Sequence, residues 1–167
     1  MKIGIIIVFH NNEKDIDTGF FIDYLNQALN LELCLVNNAS RDNTFQLLKE
    51  IKESCSTKVS IVDIKKFKSD TSAVRSGARY MFNQFDLNHI GYISTNLINN
   101  KAYTINSIIK ALSKNQNIIL KYNMSVIEKK EIKQTLFQSV FSIIEYLEKL
   151  KKNKQLVNLQ SELNNKR

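Results

Sequence analysis

The chain has 167 residues, of which 43% are hydrophobic and 24% charged, with two cysteines, no proline and a formal net charge of +8. This length and apolar fraction suffice for one globular domain with a buried core, and two cysteines are too few for a disulfide scaffold. The longest apolar run near the N-terminus, Ile3–Phe9, is too short for a signal-peptide core, and no run reaches the roughly 20 residues of a membrane-spanning helix.

The positive charge is concentrated in the C-terminal third of the chain. Residues 1–109 carry 12 Lys and Arg against 11 Asp and Glu, whereas residues 110–167 carry 12 against 5. A basic surface attracts the phosphates of nucleotides, nucleic acids or anionic lipids without distinguishing among them. The abundance of Lys, Asn and Ile is equally consistent with a bias in genome composition. We expect a cytoplasmic protein, and peripheral contact with the inner membrane surface stays open because it needs no spanning segment.

The chain opens with strands and helices in alternation. Ile3–Phe9, Leu31–Val36 and Val59–Ile64 are apolar runs typical of parallel strands that are covered on both faces. Between them, apolar residues at intervals of three and four predict helices over Asp17–Leu29 and Phe45–Ser54. Repeated βα units predict an α/β fold with a parallel sheet.

The same alternation continues toward the middle of the chain. A helix is predicted over Thr71–Phe85, a fourth strand over His89–Ile93, a further helix over Tyr103–Leu112 and a fifth strand over Asn117–Tyr122. Residues 1–125 are therefore predicted to form a mostly parallel, doubly wound sheet within a single domain.

The last segment of the chain has a different pattern. Its apolar stripe from Leu136 to Leu150 predicts a long, basic amphipathic helix over residues 126–167, part of the same domain, whose polar end after Lys151 is frayed. Packing on the sheet, homodimer formation and contact with a partner transferase chain through residues 126–155 all remain open.

Ligands of doubly wound sheets bind beyond the carboxyl ends of the strands, so the residues after each strand are the candidates. Residues 10–13, 37–44, 65–75 and 94–96 hold these positions, and all four segments are polar. The dinucleotide fingerprint and the Walker motif are absent, which disfavours ordinary NAD enzymes and P-loop nucleotide hydrolases. Nucleic-acid binding is also disfavoured, because no Arg-rich patch is interleaved with aromatic residues.

Four blocks of sequence follow one another over residues 1–100: IGIIIVFHNNEKDI, ELCLVNNASRDNT, SAVRSGARYM and HIGYISTNL. In this order they resemble motifs of family 2 glycosyltransferases of the GT-A fold, and the third block is similar to a helix of polyprenyl-phosphate hexose synthase-like members. The resemblance implies a GT-A/Rossmann-like nucleotide-binding half. It also implies transfer of a hexosyl group from a nucleotide diphosphate sugar, of the UDP type, to a polysaccharide or lipid-linked acceptor.

The resemblance implies donor-binding roles for nine residues. The loop after the first strand would lie against the nucleotide base, and Asn37 would read the uracil edge where the family has Asp. Arg75 would hold the diphosphate, and the residues after the fourth strand would line the sugar site. The nine are Phe9, His10, Asn11, Glu13, Asn37, Asn38, Arg75, Thr95 and Asn96. The alternative for the second loop is structural, with Ser40 or Asp42 capping a helix.

Ser94 and Asn96 occupy the positions where the family carries a metal-binding pair of carboxylates. In the family that pair holds Mg²⁺ or Mn²⁺, which neutralises the departing nucleoside diphosphate, and such hard cations prefer charged oxygen ligands. Ser and Asn supply no charge, and the neighbouring sequence offers no obvious substitute carboxylate. No metal cofactor is therefore predicted, and a cation such as Arg75 or Arg79 would replace it.

The sequence leaves two hypotheses for function. Residues 104–167 contain no adjacent acidic pair of the kind that supplies the family's catalytic base, so no base can be named. The first hypothesis is an active hexosyltransferase. The second is a non-catalytic module that senses a nucleotide sugar or assembles with a partner through its C-terminal helix.

Overall fold

The computed structural model describes residues 3–27, 31–87, 89–98, 104–111 and 140–164. Within them one sheet has the strand order β3-β2-β1-β4-β5, and every neighbouring pair is parallel. The strands are β1 (Ile3–Phe9), β2 (Leu31–Asn38), β3 (Val59–Ile64), β4 (His89–Ser94) and β5 (Val140–Ser142). The α/β class and the parallel, doubly wound sheet predicted from the sequence are confirmed.

The helices cover both faces of this sheet. They are α1 (Thr18–Gln27), α2 (Thr44–Ser54), α3 (Asp70–Gln84), α4 (Thr95–Ile98), α5 (residues 105–111) and α6 (Ile143–Asn164). Side chains of α1, α2, α5 and α6 pack on one face, and those of α3 pack on the other. No helix among the described residues has both the length and the apolar composition to cross a membrane.

The sequence of the central strand β1 is apolar because helices cover both faces of the sheet at this strand. Ile5 and Ile7 point into the core beneath α1 and α2, while Ile6 and Val8 point into the core beneath α3. Both sets are almost fully buried, so these four side chains lose their contact with water on folding.

The predicted helix over residues 126–167 is wrong at Val140–Ser142. Val140–Ser142 forms strand β5, which pairs with residues 90–92 of β4. A Cβ at Gly91 would lie 2.7 Å from Ile143 Cδ1 and 3.2 Å from the Phe141 ring. The absence of a side chain at Gly91 thus lets the C-terminal segment pack closely against β4, which helical periodicity alone does not reveal.

Helix α6 begins only after this strand. The Ser142 hydroxyl accepts a hydrogen bond from the backbone N–H of Glu145 at 3.4 Å, which is the pattern of a helix cap. The helix continues to Asn164, and fraying of the segment after Lys151 stays a prediction. The predicted strand over Asn117–Tyr122 lies outside the described residues.

Gly77 sets the distance between α3 and the sheet. A Cβ built there would lie 2.9 Å from Ile6 Cγ2 and 3.0 Å from Val36 Cγ2, and both neighbours are buried, β-branched side chains. We expect Gly77→Ala to lower the free energy of unfolding by about 1–3 kcal/mol, because the sheet and helix must move apart. The matched control is Gly19→Ala in α1, where the nearest atom to a Cβ is Asp17 Oδ1 at 3.5 Å.

Urea denaturation of the two variants measures the difference. Gly19→Ala should raise the free energy of unfolding by up to about 1 kcal/mol, since alanine is the better helix former. If Gly77→Ala were as stable as the unmodified chain, close packing of α3 on β1 and β2 would be contradicted.

Candidate functional site

An open cleft of about 760 Å³ lies at the carboxyl ends of β1, β2 and β3. The loops that follow these three strands form its walls, as expected for a ligand site in a parallel α/β sheet. Its lining residues are His10, Asn11, Asn37, Ala39, Ser40, Arg41, Phe45, Asp63, Ile64, Lys65, Lys66 and Phe67. Three of the nine residues proposed from the sequence, His10, Asn11 and Asn37, are therefore brought together here.

Two aromatic rings form one wall of the cleft. The centroids of His10 and Phe67 lie 4.7 Å apart with the ring planes tilted by 59°, and Phe67 is 56% exposed. His10 Nδ1 lies 2.7 Å from the carbonyl oxygen of Asn38, so this nitrogen carries the proton and donates it. Nε2 then accepts from Asn11 Nδ2 at 3.3 Å, and the two contacts fix the orientation of the ring.

The polar floor of the cleft is a pair of side chains on neighbouring strands. Asn37 and Asp63 are register partners in β2 and β3, and Asn37 Nδ2 donates to Asp63 Oδ1 at 2.8 Å. Asn37 Oδ1 accepts from the backbone N–H of Ser40 at 3.3 Å, and Asp63 Oδ2 accepts from Lys65. Asp63 thus offers a carboxylate, which can only accept hydrogen bonds while it is ionised.

Burial acts to raise the pKa of Asp63, but hydrogen bonds from Lys65 and Asn37 and the positive charges of Lys65 and Lys49 outweigh it. The net pKa is lowered. The carboxylate therefore stays ionised throughout the neutral pH range.

The cleft carries an excess of positive charge. Three cations, Arg41, Lys65 and Lys66, and one carboxylate, Asp63, give its lining a formal charge of +2. Such a lining favours an anionic ligand, and a guanidinium offers a planar pair of donors to phosphate oxygens.

The loops that follow β1 and β2 each contain a residue with an unusual backbone conformation. Asn11 and Ala39 have φ values of 54° and 55°, in the left-handed region that residues with a Cβ rarely adopt. Asn11 ties the loops together, because its N–H donates to Ser40 Oγ at 3.1 Å and its Oδ1 accepts from the N–H of Arg41 at 2.8 Å. The walls are thus preformed, and strain of this kind is concentrated at functional sites.

Two of the proposed residues support the cleft without lining it. The Asn38 side chain is fully buried, and its amide pairs with the backbone of Lys68 through hydrogen bonds of 2.8 and 3.0 Å. Phe9 is fully buried in the core on the α1 side of the sheet. Asn38 therefore positions the loop that carries Phe67, and Phe9 anchors the end of β1.

Asn12, which the sequence did not single out, joins three loops below the cleft. It is 2% exposed, and its Oδ1 accepts from the His10 backbone N–H at 2.8 Å and from Thr95 Oγ1 at 2.7 Å. Its backbone N–H donates to Thr44 Oγ1 at 2.7 Å, and its Nδ2 donates to Asp15 at 3.1 Å. Thr95, proposed to line a sugar site, is instead buried in this network.

Glu13 belongs to the loop that follows β1, contacts the residues just before α2 and does not line the cleft. Its carboxylate accepts from the backbone N–H of Asn43 at 2.9 Å, and its own N–H donates to Asp42 at 3.1 Å. Asp42 also accepts from the N–H of Thr44 at 3.0 Å. Both acidic residues thus satisfy N–H groups at a helix start, which supports the capping alternative for this loop.

Asp42 gives this capping a pH dependence. Burial acts to raise its pKa, but hydrogen bonds from Thr44 and the N–H of Glu13 outweigh it, so the pKa lies below the ordinary 3.8. A lowered folded-state pKa contributes stability that is present above 3.8 and is lost as the pH falls through the folded-state value. We expect Asp42→Asn to cost about 0.5–1 kcal/mol at neutral pH.

Urea unfolding of Asp42→Asn and the unmodified chain, repeated from about pH 7 to about pH 3, checks this linkage. The difference in free energy of unfolding should shrink toward the acid end of the range. A difference that stayed constant would contradict a role for the ionised carboxylate.

A carboxylate does stand at the end of β4, contrary to the sequence expectation. Asp70, the first residue of α3, accepts from Ser94 Oγ at 2.8 Å and from Asn96 Nδ2 at 3.1 Å. Asp70 begins α3, and although two strands separate β3 from β4 in the sheet, the start of this helix lies at the end of β4. The sequence distance of more than twenty residues concealed the contact.

Arg75 faces a second cavity rather than the cleft. This cavity has a volume of about 390 Å³ and lies between α3 and the strands β4 and β5. Arg75 shares it with Asp70, Ser94 and Tyr92, whereas no residue of α3 lines the cleft. The structure thus separates Arg75 from His10, Asn11 and Asn37.

The residues at the end of β4 do not fit the divalent metal that the family resemblance implies. Among the described residues, Asp70 is the one carboxylate hydrogen-bonded to Ser94 and Asn96, and both of its oxygens accept hydrogen bonds from these neutral side chains. Across the part of the chain that the structure describes, no three His, Cys, Asp or Glu residues are grouped as metal ligands. A single, hydrogen-bonded carboxylate is a poor site for Mg²⁺ or Mn²⁺.

Comparison with known proteins adds a likeness to solved structures. The chain matches the crystal structure of S. aureus TarS 1-349 with 14% identity and a TM-score of 0.45, over 57% of this chain and 27% of that one. A second crystal structure of S. aureus TarS matches with 14% identity and a TM-score of 0.44, over 57% of this chain and 16% of that one. This chain thus spans less than a third of their length.

No protein-family model matches the sequence, and neither does any curated protein. Function therefore rests on the chemistry of the cleft.

Proposed function

We propose that this chain is a nucleotide-sugar-binding domain of glycosyltransferase type, and that the cleft holds the nucleoside diphosphate of the donor. One observation carries the proposal. One cleft, at the carboxyl ends of three parallel strands, has a wall formed by the rings of His10 and Phe67 and a floor that contains the hydrogen-bond acceptor Asp63. Its lining carries a formal charge of +2. A base, its polar edge and a diphosphate need these three features.

The base would lie against the rings of His10 and Phe67, with its polar edge toward Asn37 and Asp63. Each carboxylate oxygen of Asp63 has lone-pair capacity beyond its contacts with Asn37 and Lys65. An ionised carboxylate accepts from the ring N–H of uracil or guanine, whereas cytosine and adenine present an acceptor at that point. This favours a uridine or guanosine nucleotide, and the motif resemblance favours uridine.

The reaction would be transfer of a hexosyl group from the bound donor to a polysaccharide or lipid-linked acceptor. The second candidate is a module that binds the nucleotide sugar without turning it over. The arrangement at the end of β4 favours this second candidate, because Ser94 and Asn96 engage both oxygens of Asp70. Contact with a second copy or a partner transferase chain through residues 126–155 would use side chains other than Ile143, Ile144, Tyr146 and Leu147, which are buried in the core.

Thermal unfolding in the presence of UDP, GDP, CDP and ADP tests the binding proposal. A nucleotide at a hundredfold excess over its dissociation constant stabilises the fold by about 2.7 kcal/mol, a shift of roughly 5 °C for this chain length. UDP or GDP should give this shift, and CDP and ADP should give less. If no nucleotide shifted the unfolding temperature, the proposal would be wrong.

Turnover separates the two candidates once binding is established. Incubation with the UDP-hexose of highest affinity, followed by measurement of released UDP with and without a lipid-linked or polysaccharide acceptor, reports on transfer and hydrolysis. Release above the buffer rate supports the enzyme. Tight binding with no release supports the non-catalytic module.

A further inference from the structure

We propose that the cleft neutralises the diphosphate with the chain's own cations, so that nucleotide binding requires no divalent metal. The inference rests on the proposed function, since it concerns how the same cleft holds its ligand. It states which charges balance the phosphates, and it can fail while nucleotide binding itself stands.

The first support is the chemistry at the end of β4. Ser94 Oγ and Asn96 Nδ2 each donate a hydrogen bond to one carboxylate oxygen of Asp70, at 2.8 and 3.1 Å. A metal ion there would gain only one charged ligand from these three side chains. Divalent cations of this kind are held by several oxygen ligands, and carboxylates dominate their binding energy.

The second support is the charge of the cleft itself. Lys65 is paired with Asp63, which leaves Arg41 and Lys66 as a surplus of two positive charges in the lining. Among the described residues, neither the Arg41 guanidinium nor the Lys66 ammonium forms an ion pair with a carboxylate. A diphosphate ester carries one negative charge for each phosphate, so the surplus matches it.

The third support is the placement of Arg41. Its backbone N–H is held by Asn11 Oδ1 at 2.8 Å, and it stands two residues after Ala39, whose left-handed backbone turns the chain at the end of β2. The side chain is exposed at the rim of the cleft. The backbone of Arg41 is thus fixed at the cleft, and its guanidinium can offer two donors to phosphate oxygens, as a metal-free phosphate site requires.

Titration calorimetry of UDP against the full chain tests the inference, once in EDTA and once in excess Mn²⁺. We expect dissociation constants that agree within about twofold, because the cations of the chain already supply the charge. Tightening by tenfold or more in Mn²⁺ would overturn the inference and leave nucleotide binding intact. If no heat of binding were observed in either buffer, nucleotide binding by the cleft, and with it the proposed function, would be contradicted.

Substitution of the two surplus cations gives the second readout. In EDTA, Arg41→Ala combined with Lys66→Ala should weaken UDP binding by about tenfold or more and flatten its dependence on salt concentration. Arg79→Ala is the matched control, since Arg79 is exposed on α3 and lines neither cavity. Unchanged affinity and salt dependence in the double variant would overturn the inference, and unfolding curves verify that both variants are folded.

Discussion

Phe67→Ala should weaken the binding of UDP by about tenfold while leaving the unfolding temperature of the free chain nearly unchanged. Stacking of a base on an aromatic side chain contributes about 1–3 kcal/mol, so loss of the ring removes at least a factor of several in affinity. Phe67 is 56% exposed, and its one described ring contact is with His10. Its removal therefore costs the free fold little, and titration calorimetry isolates the effect on the ligand.

The control for Phe67→Ala is Tyr80→Ala. Tyr80 is 36% exposed on α3 and lies outside the cleft, so it tests for a general effect of removing a surface ring. Phe67→Tyr keeps the ring and should restore affinity to within about twofold. Equal losses in Phe67→Ala and Tyr80→Ala, or no loss in Phe67→Ala, would contradict the stacking wall.

Asn12→Ala should lower the free energy of unfolding by about 2–4 kcal/mol. The substitution removes the acceptor for the Thr95 hydroxyl, which is 1% exposed, and for the backbone N–H of His10. A buried hydroxyl without a partner costs about 1–3 kcal/mol by itself, and the loss of the amide's own contacts adds to it. Urea unfolding followed by circular dichroism measures the total.

Asn26→Ala is the matched control for this variant. Asn26 lies on the exposed side of α1, and its replacement should change the free energy of unfolding by no more than about 0.5 kcal/mol. Asn12→Asp keeps an acceptor for Thr95 but sets a buried carboxylate oxygen against Asp15, so it should be at least as damaging as the alanine variant. If Asn12→Ala were as stable as Asn26→Ala, the central role of Asn12 would be disproved.

Most of the sheet was predictable because burial on both faces leaves a plain signal in the sequence. The predicted and observed bounds of the first strand are identical, at Ile3–Phe9, and those of the third at Val59–Ile64. Strand β5 was not predictable in the same way, because three residues are too few to show a period and lie inside a stripe with helical spacing. The sequence did contain a signal for the start of α6, namely Ser142 followed three residues later by Glu145, which is the pattern of a helix N-terminus.

The sequence predicted the lining of the cleft only where the position of a residue directly after a strand was enough to identify it. His10, Asn11 and Asn37 were placed in it because they follow strands, and they do line the cleft. Asp63 was missed because its contact with Asn37 depends on the register of β2 and β3, which no local pattern reveals. Asp70 was missed for a related reason, since its contact with Ser94 depends on where α3 starts over the sheet.

The order of the strands has a consequence for how the chain folds during synthesis. Every residue of the cleft lining lies between positions 10 and 67, on the loops of β1, β2 and β3, and these strands are neighbours in space. The ribosome releases this part first, so its strands can pair while the rest of the nascent chain is still being made. Thr95 then arrives with β4 and donates to Asn12, which completes the hydrogen-bond network that joins the loops below the cleft.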